Sequence, residues 1–395
     1  MKLHMRCRRR IFCVAVLLLI SSALFVSPFA PAEAAHSNYL VYIGTYTDHG
    51  SKGIYAYRFD SSTGKVTSLG LAAETPEPSF LAVDSGGQFL YAVNETDTYN
   101  GQPTGSVSAF TIQPGSGKFS LLNQITSQGA APAHITLDRT GKYALVSNYT
   151  GGSVIVFPVL KDGQLGQATA FVQHKGHSVN TERQQAPHAH AIALSPDNRF
   201  AIVADLGLDQ LLVYRFDAAK GTLGANPQVT TTKPGAGPRH LVFGAKGRFL
   251  YVINELHSTV VTYSYDAATG ALHELQDIST LPKGFRGAST AAEIAIDPAG
   301  KFLFASNRIV AADGSVAVFA IDAIAGTLTP VEIDSTGGKT PRNFAIDPTG
   351  TWLLAANQDS DGVVVFHLDP KSGHLTAAGE VVPVPSPTCV TFVAH

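Results

Sequence analysis

The chain has 395 residues, with 28 basic against 30 acidic side chains and only 15% of positions charged. No basic face is implied, which argues against a nucleic-acid partner. Three cysteines, two of them within the first 13 residues, provide no disulfide framework, so core and topology must hold the fold.

The first element in chain order stands apart from the rest. Lys2, Arg6, Arg8, Arg9 and Arg10 flank an apolar run, Ile11 to Phe25, and Ala32-Glu33-Ala34 fits a small-x-small cleavage site. This is the pattern of a secretory signal over residues 1–34, which predicts export to the periplasm or the exterior and no stable membrane insertion after cleavage. An uncleaved anchor is the alternative. Cleavage removes five of the 28 basic residues and one of the 30 acidic ones. That leaves a net charge of −6 and a single cysteine, Cys389. Residues 35–395 then form one large domain.

From Tyr39 onward no window sustains apolar residues at i, i+3, i+4 and i+7. Short runs rich in Val, Ile, Phe and Tyr are separated by Gly, Asp, Asn and Pro, which predicts many short antiparallel strands. The strands come in copies. FLAVDSGGQFLYAVN ends at Asn94, and related segments end at Asn148, Asp205, Asn254, Asn307 and Asn357, at intervals of 49 to 57 residues. Each copy reads as two strands joined by a tight turn such as Asp-Pro-Ala-Gly or Asp-Pro-Thr-Gly. A second hairpin follows, for example GSVAVFAI, a Gly turn and GTLTPVEI. Four strands per repeat at this period predict a β-propeller blade. Tyr39 to Gly70 is a blade lacking its first strand, and PTCVTF, Pro387 to Phe392, supplies it. The expected fold is therefore all-β: a seven-bladed β-propeller whose C-terminal strand joins the N-terminal blade, leaving no open edge. The longest irregular insertion, Gln173 to Gln185, carries Arg183 and precedes Pro187-His188-Ala189-His190; a polar loop of that length reads as functional.

Counting from the Asn/Asp slot locates the candidate site. Fifteen residues back lie Ser79, Ala133, His190, Arg239, Ala292 and Arg342. Fourteen back lie Phe80, His134, Ala191, His240, Glu293 and Asn343. One forward lie Glu95, Tyr149, Leu206, Glu255, Arg308 and Gln358. Thr388 and Cys389 fill the two backward slots of the first blade. The Asn slot, Asn254 included, is nearly uniform and reads first as a turn or cap residue. The neighbouring slots are irregular and charged. Charged groups at a narrow channel mouth are costly to desolvate without a ligand or one another. These residue types suit hydrolysis of an ester-like bond in an anionic substrate. Glu255 or His190 takes a proton from water, and Arg239 and Arg308 hold an anionic group or an oxyanion. His188, His240, Glu293, Arg342, Asn254 and Arg183 are the expected substrate contacts. No zinc, phosphate-loop or nucleophile-elbow motif is present, and no cofactor is expected.

Several segments carry a resemblance: RQQAPHAHAIALSPDNRFAIVADLGLDQLLVY, GPRHLVFGAKGRFLYVINEL and PRNFAIDPTGTWLLAANQ. Together they resemble the seven-bladed β-propeller lactonase family, which includes propeller-type 6-phosphogluconolactonases and the fungal carboxy-muconate cyclase. The resemblance runs from Tyr42 to the C-terminal strand. It implies a metal-independent carboxylic-ester hydrolase acting on a small lactone, with the family's active-site positions falling on His190, Arg239, Glu255 and Arg308, and Arg286 a nearby competitor for the last. A lactonising cyclase, a non-catalytic binding propeller and a calcium-dependent lactonase are the alternatives. Export implies a substrate other than a cytosolic sugar phosphate.

Overall fold

The computed structural model describes residues 38–113 and 115–394; the signal-like segment 1–34 lies outside the described residues. Every repeat folds as expected, into a twisted antiparallel sheet of four strands. The fourth sheet splits its outer strand into Thr222–Leu223 and Gln228–Thr231. The first sheet is shared between the ends of the domain. Pro387–Ala394 pairs with Asn38–Thr45, with Cys389 opposite Gly44, and Gly53–Asp60 and Lys65–Glu74 follow outward.

The innermost strands of the other six blades are Leu81–Val83, Pro132–Leu137, Ala189–Leu194, Pro238–Phe243, Ser289–Ile296 and Pro341–Ile346. Each touches the inner strands of both neighbouring blades, and Pro387–Ala394 closes the circle between the first and last.

The core is a ring of seven apolar layers, one at each seam between blades. At the closing seam Val41, Ile43 and Phe59 pack on Leu354, Ala356 and Val365. The strands between seams are buried on both faces and so read as nearly continuous apolar runs, such as Phe200–Asp205. A recurrent device locks the seams. In six of the seven blades the aromatic that opens the second strand covers a turn glycine of the next blade, as Phe89 does at Gly163 and Trp352 at Gly64; at the first blade's seam Gly117 meets Leu69 and Leu40 instead. A Cβ on Gly64, whose φ is +73°, would lie 2.4 Å from the indole. Trp352 Nε1 also donates to the Ser61 carbonyl at 2.8 Å, tying the last blade to the first.

The turn aspartates explain the Asp-Pro-x-Gly signature. Asp297 Oδ1 accepts from the backbone N–H groups of Lys301 and Phe302 at 2.7 and 2.6 Å, and Asp347 does the same for Thr351 and Trp352. These carboxylates mimic a backbone turn and fix the hairpin register.

Candidate functional site

Local backbone geometry aims the charged residues at the hub. The ladder between first and second strands slips between Ala189 and Ala191, between Pro238 and His240, and between Pro341 and Asn343. His190, Arg239 and Arg342 are thus the extra residues of β-bulges, which turn a side chain out of the regular alternation. Glu255 stands in the turn just beyond Phe249–Asn254, and Arg308 lies near the end of Phe302–Ile309.

These elements converge on the Glu255 carboxylate. Its Oε2 receives Arg239 Nε at 3.1 Å and Arg308 Nη2 at 3.0 Å; its Oε1 receives Arg183 Nη2 at 2.6 Å. His190 Nε2 lies 4.0 Å from Oε2. Glu255 is 3% exposed and Arg239 2%. Arg239 Nη1 donates to the Ala292 carbonyl at 2.6 Å, and Arg308 Nη2 to the Ala291 carbonyl at 3.1 Å. Arg183 also donates to the Tyr149 hydroxyl at 3.1 Å, so the insertion reaches over the hub.

The charges set the protonation states. Burial pushes the Glu255 carboxyl up, but Arg308, Arg239 and Arg183 outweigh it and hold the group at about 2. Burial, then the nearby Arg239 and His240, drives His190 well below its ordinary 6.5, so the imidazole is neutral. Burial and the neighbouring Arg308 and Arg342 press Arg239 down to about 9, still cationic at neutral pH. Three guanidiniums thus share one carboxylate. Arg308 Nε and His190 Nδ1 are buried with no partner, an arrangement that costs about 1–3 kcal/mol per group unless a ligand completes it.

The remaining candidates fall around this cluster. His188 stacks on Tyr149 at 4.6 Å, and its Nδ1 lies 3.0 Å from the Tyr149 carbonyl. Arg342 sits over the Tyr46 ring at 5.0 Å and 3.7 Å from Glu95 Oε2, which also accepts from the Tyr46 hydroxyl at 3.0 Å. His240 and Glu293 pair with each other one step deeper in the channel, at 3.0 Å. Asn254, also expected among the substrate contacts, donates through its amide nitrogen to Thr259 Oγ1 at 3.0 Å, a local tie between strands, while its Oδ1 is buried with no partner. The same slot at Asn148, Asn307 and Asn357 donates to backbone carbonyls, which is why it is uniform. Arg286 is exposed, whereas Arg308 meets Glu255. Tyr46 was not singled out from the sequence; its position two residues past Gly44, the first blade's slot, is the signal that could have found it. Among the described residues no group of three or more His, Cys, Asp or Glu side chains is placed to hold a metal ion.

A closed seven-bladed β-propeller with a buried arginine–glutamate–histidine cluster over its hub is the class of protein these features define. The chain belongs to the seven-bladed β-propeller lactonase family, whose sequence model matches residues 40–392. It is 34% identical over 358 residues to a 6-phosphogluconolactonase of Bacillus subtilis, covering 90% of this chain and 99% of that one. It is also 34% identical to a 6-phosphogluconolactonase of Formosa agariphila, covering 85% of this chain and 94% of the relative. Among solved structures, the periplasmic gluconolactonase of Pseudomonas aeruginosa superposes with a TM-score of 0.85 at 36% identity, covering 91% of this chain and 99% of that one.

Proposed function

We propose that the chain is a lactonase that hydrolyses a sugar lactone bearing or developing negative charge over the hub. The observation that carries this reading is the excess of positive charge around Glu255: three guanidiniums to one carboxylate, with a buried Arg308 Nε left to donate. Family membership supports the reaction class, and relatives named as 6-phosphogluconolactonases support a sugar-derived substrate.

In this mechanism His190 is the base. Its neutral imidazole accepts a proton from water as the water oxygen bonds the acyl carbon. Arg239 and Arg308 stabilise the oxyanion or hold the anionic product. Glu255, held at about 2, is too weak a base at neutral pH; it is a fixed anion that orients the guanidiniums. The positive charge that a metal would supply comes from arginine, so the route is metal-independent. Residues 1–34 direct export, and an exported enzyme meets unphosphorylated gluconolactone more readily than its 6-phosphate; the periplasmic relative supports this setting.

The test is hydrolysis of glucono-δ-lactone and its 6-phosphate by purified residues 35–395, with and without EDTA, beside His190→Gln. Turnover unaffected by chelation and lost in the variant is expected. A rate no faster than spontaneous opening on both lactones would sink the proposal. Export is checked by fractionating cells that express the full chain; recovery in the cytosol alone refutes it.

A further inference from the structure

We propose that the hub beneath the arginine cluster is a proton exit, in which His240 and Glu293 pass the proton released by each turnover to a cavity on the opposite face of the propeller. The proposal rests on the lactonase reading and adds a role to two residues that the mechanism above leaves unused.

Lactone hydrolysis leaves a proton to be disposed of. One O–H bond of water breaks, and His190 takes that proton while the water oxygen bonds the acyl carbon. The acyl–ring oxygen bond then breaks, and the departing oxygen takes the proton back from His190 to become a hydroxyl. The new carboxylic acid ionises, so one proton remains in the pocket per turnover while the product carboxylate still occupies the arginines at the mouth.

His240 is built to receive it. Its ring lies 5.1 Å from that of His190, edge to face. Its Nδ1 is 3.0 Å from Glu293 Oε1. The other Glu293 oxygen accepts from the Asn343 amide, and Asn343 Oδ1 accepts from Val390 N at 2.9 Å. That last bond fixes which way Asn343 faces, so Glu293 Oε2 accepts from it, and Glu293 Oε1 accepts from Ile294 N at 2.9 Å as well. His240 therefore carries its hydrogen on Nδ1, and Nε2 presents a lone pair. Nε2 is buried and has no partner. A carboxylate that fixes the tautomer and steadies the imidazolium is the arrangement that makes histidine an effective proton carrier. The charged and titratable groups facing His240 are Glu293, Arg239, Arg342, His134 and His190.

Glu293 is also an end of the route. With Asn343 it lines a cavity of about 280 Å³ that runs between the inner strands, past Ala295 and Ala345, to exposed Pro298. That is room for several water molecules. Strand Ser289–Ile296 leads away from the arginine cluster, so this opening lies on the face opposite the mouth. A proton can leave there while substrate or product fills the other side.

Three measurements on residues 35–395 decide the matter. Glu293→Gln should lower kcat on glucono-δ-lactone at least ~10-fold with KM nearly unchanged. Ala345→Leu narrows the cavity without touching the arginine cluster; it should lower kcat several-fold, and a high concentration of imidazole buffer should restore part of the loss. In the wild-type protein, ¹⁵N NMR should find His240 protonated at Nδ1 and bare at Nε2. An active wild type whose two variants keep kcat, or change KM alone, overturns the proton exit and leaves the lactonase reading standing. The opposite His240 tautomer overturns it whatever the variants do. A wild type inactive on every lactone overturns both readings.

Discussion

Replacing Glu255 by Gln removes the one anion shared by Arg183, Arg239 and Arg308. The carboxyl is held at about 2 against an ordinary 4.5, a difference worth about 3 kcal/mol of folded-state stability. The same quantity appears from the other side as the cost of leaving Arg239 buried without its counter-ion, which falls at the low end of about 3–5 kcal/mol for one partner removed from a buried ion pair. Unfolding entropy of roughly 2.1 cal/mol/K per residue over about 360 residues converts 3 kcal/mol to a Tm loss of about 4 °C. The sign fixes the pH window. Because the folded-state value is depressed, the stabilisation is complete above about pH 4.5 and fades as pH falls toward 2. Thermal melts of wild type and Glu255→Gln at pH 7 should therefore differ by about 4 °C, and the gap should shrink through pH 4 and 3. A variant as stable as wild type at pH 7, or a gap independent of pH, would refute the reasoning.

Three further outcomes are expected. His190→Gln should lower kcat by roughly 10²- to 10⁴-fold, and because burial keeps the wild-type imidazole neutral, the acid limb of kcat in the wild type should fall below pH 6.5, not at it; a pH–rate profile checks both. Gly64→Ala should cost about 3 kcal/mol through positive-φ strain and the Trp352 contact, read by denaturant unfolding, whereas Gly50→Ala, with nothing near its Cβ, should cost only the strain. Deleting residues 387–395 removes the strand that closes the ring and exposes the edge of Asn38–Thr45; size-exclusion chromatography should show aggregate or a larger assembly than the intact protein forms.

Much of the fold was legible because a propeller repeats itself. Six copies of an apolar run, a tight turn that contains Asp in five of them, and an Asn or Asp slot located the blades, and counting the first and last strands located the closure. The slot arithmetic also found His190, Arg239, Glu255 and Arg308, since irregular charge at a regular position has no explanation in the scaffold. For Asn254 the arithmetic could not show its local tie: the amide donates to Thr259, five residues away on the neighbouring strand, and Oδ1 is left buried without a partner. Arg183 was visible only as part of a long polar insertion; that it reaches back to Glu255 follows from how 174–188 lies across the hub, which no periodicity records.

The sequence by itself determined strand order, blade number and which polar residues face the hub, because these depend on spacing and on an alternation of period two. Direction and pairing were decided only in three dimensions. A bulge at His190, Arg239 and Arg342 re-aims each side chain, and ring closure brings residues from separate blades within bonding distance of one carboxylate. Which of them stays neutral and which stays charged then follows from burial and from the neighbours that closure provides, and neither is a property of the chain read in one dimension.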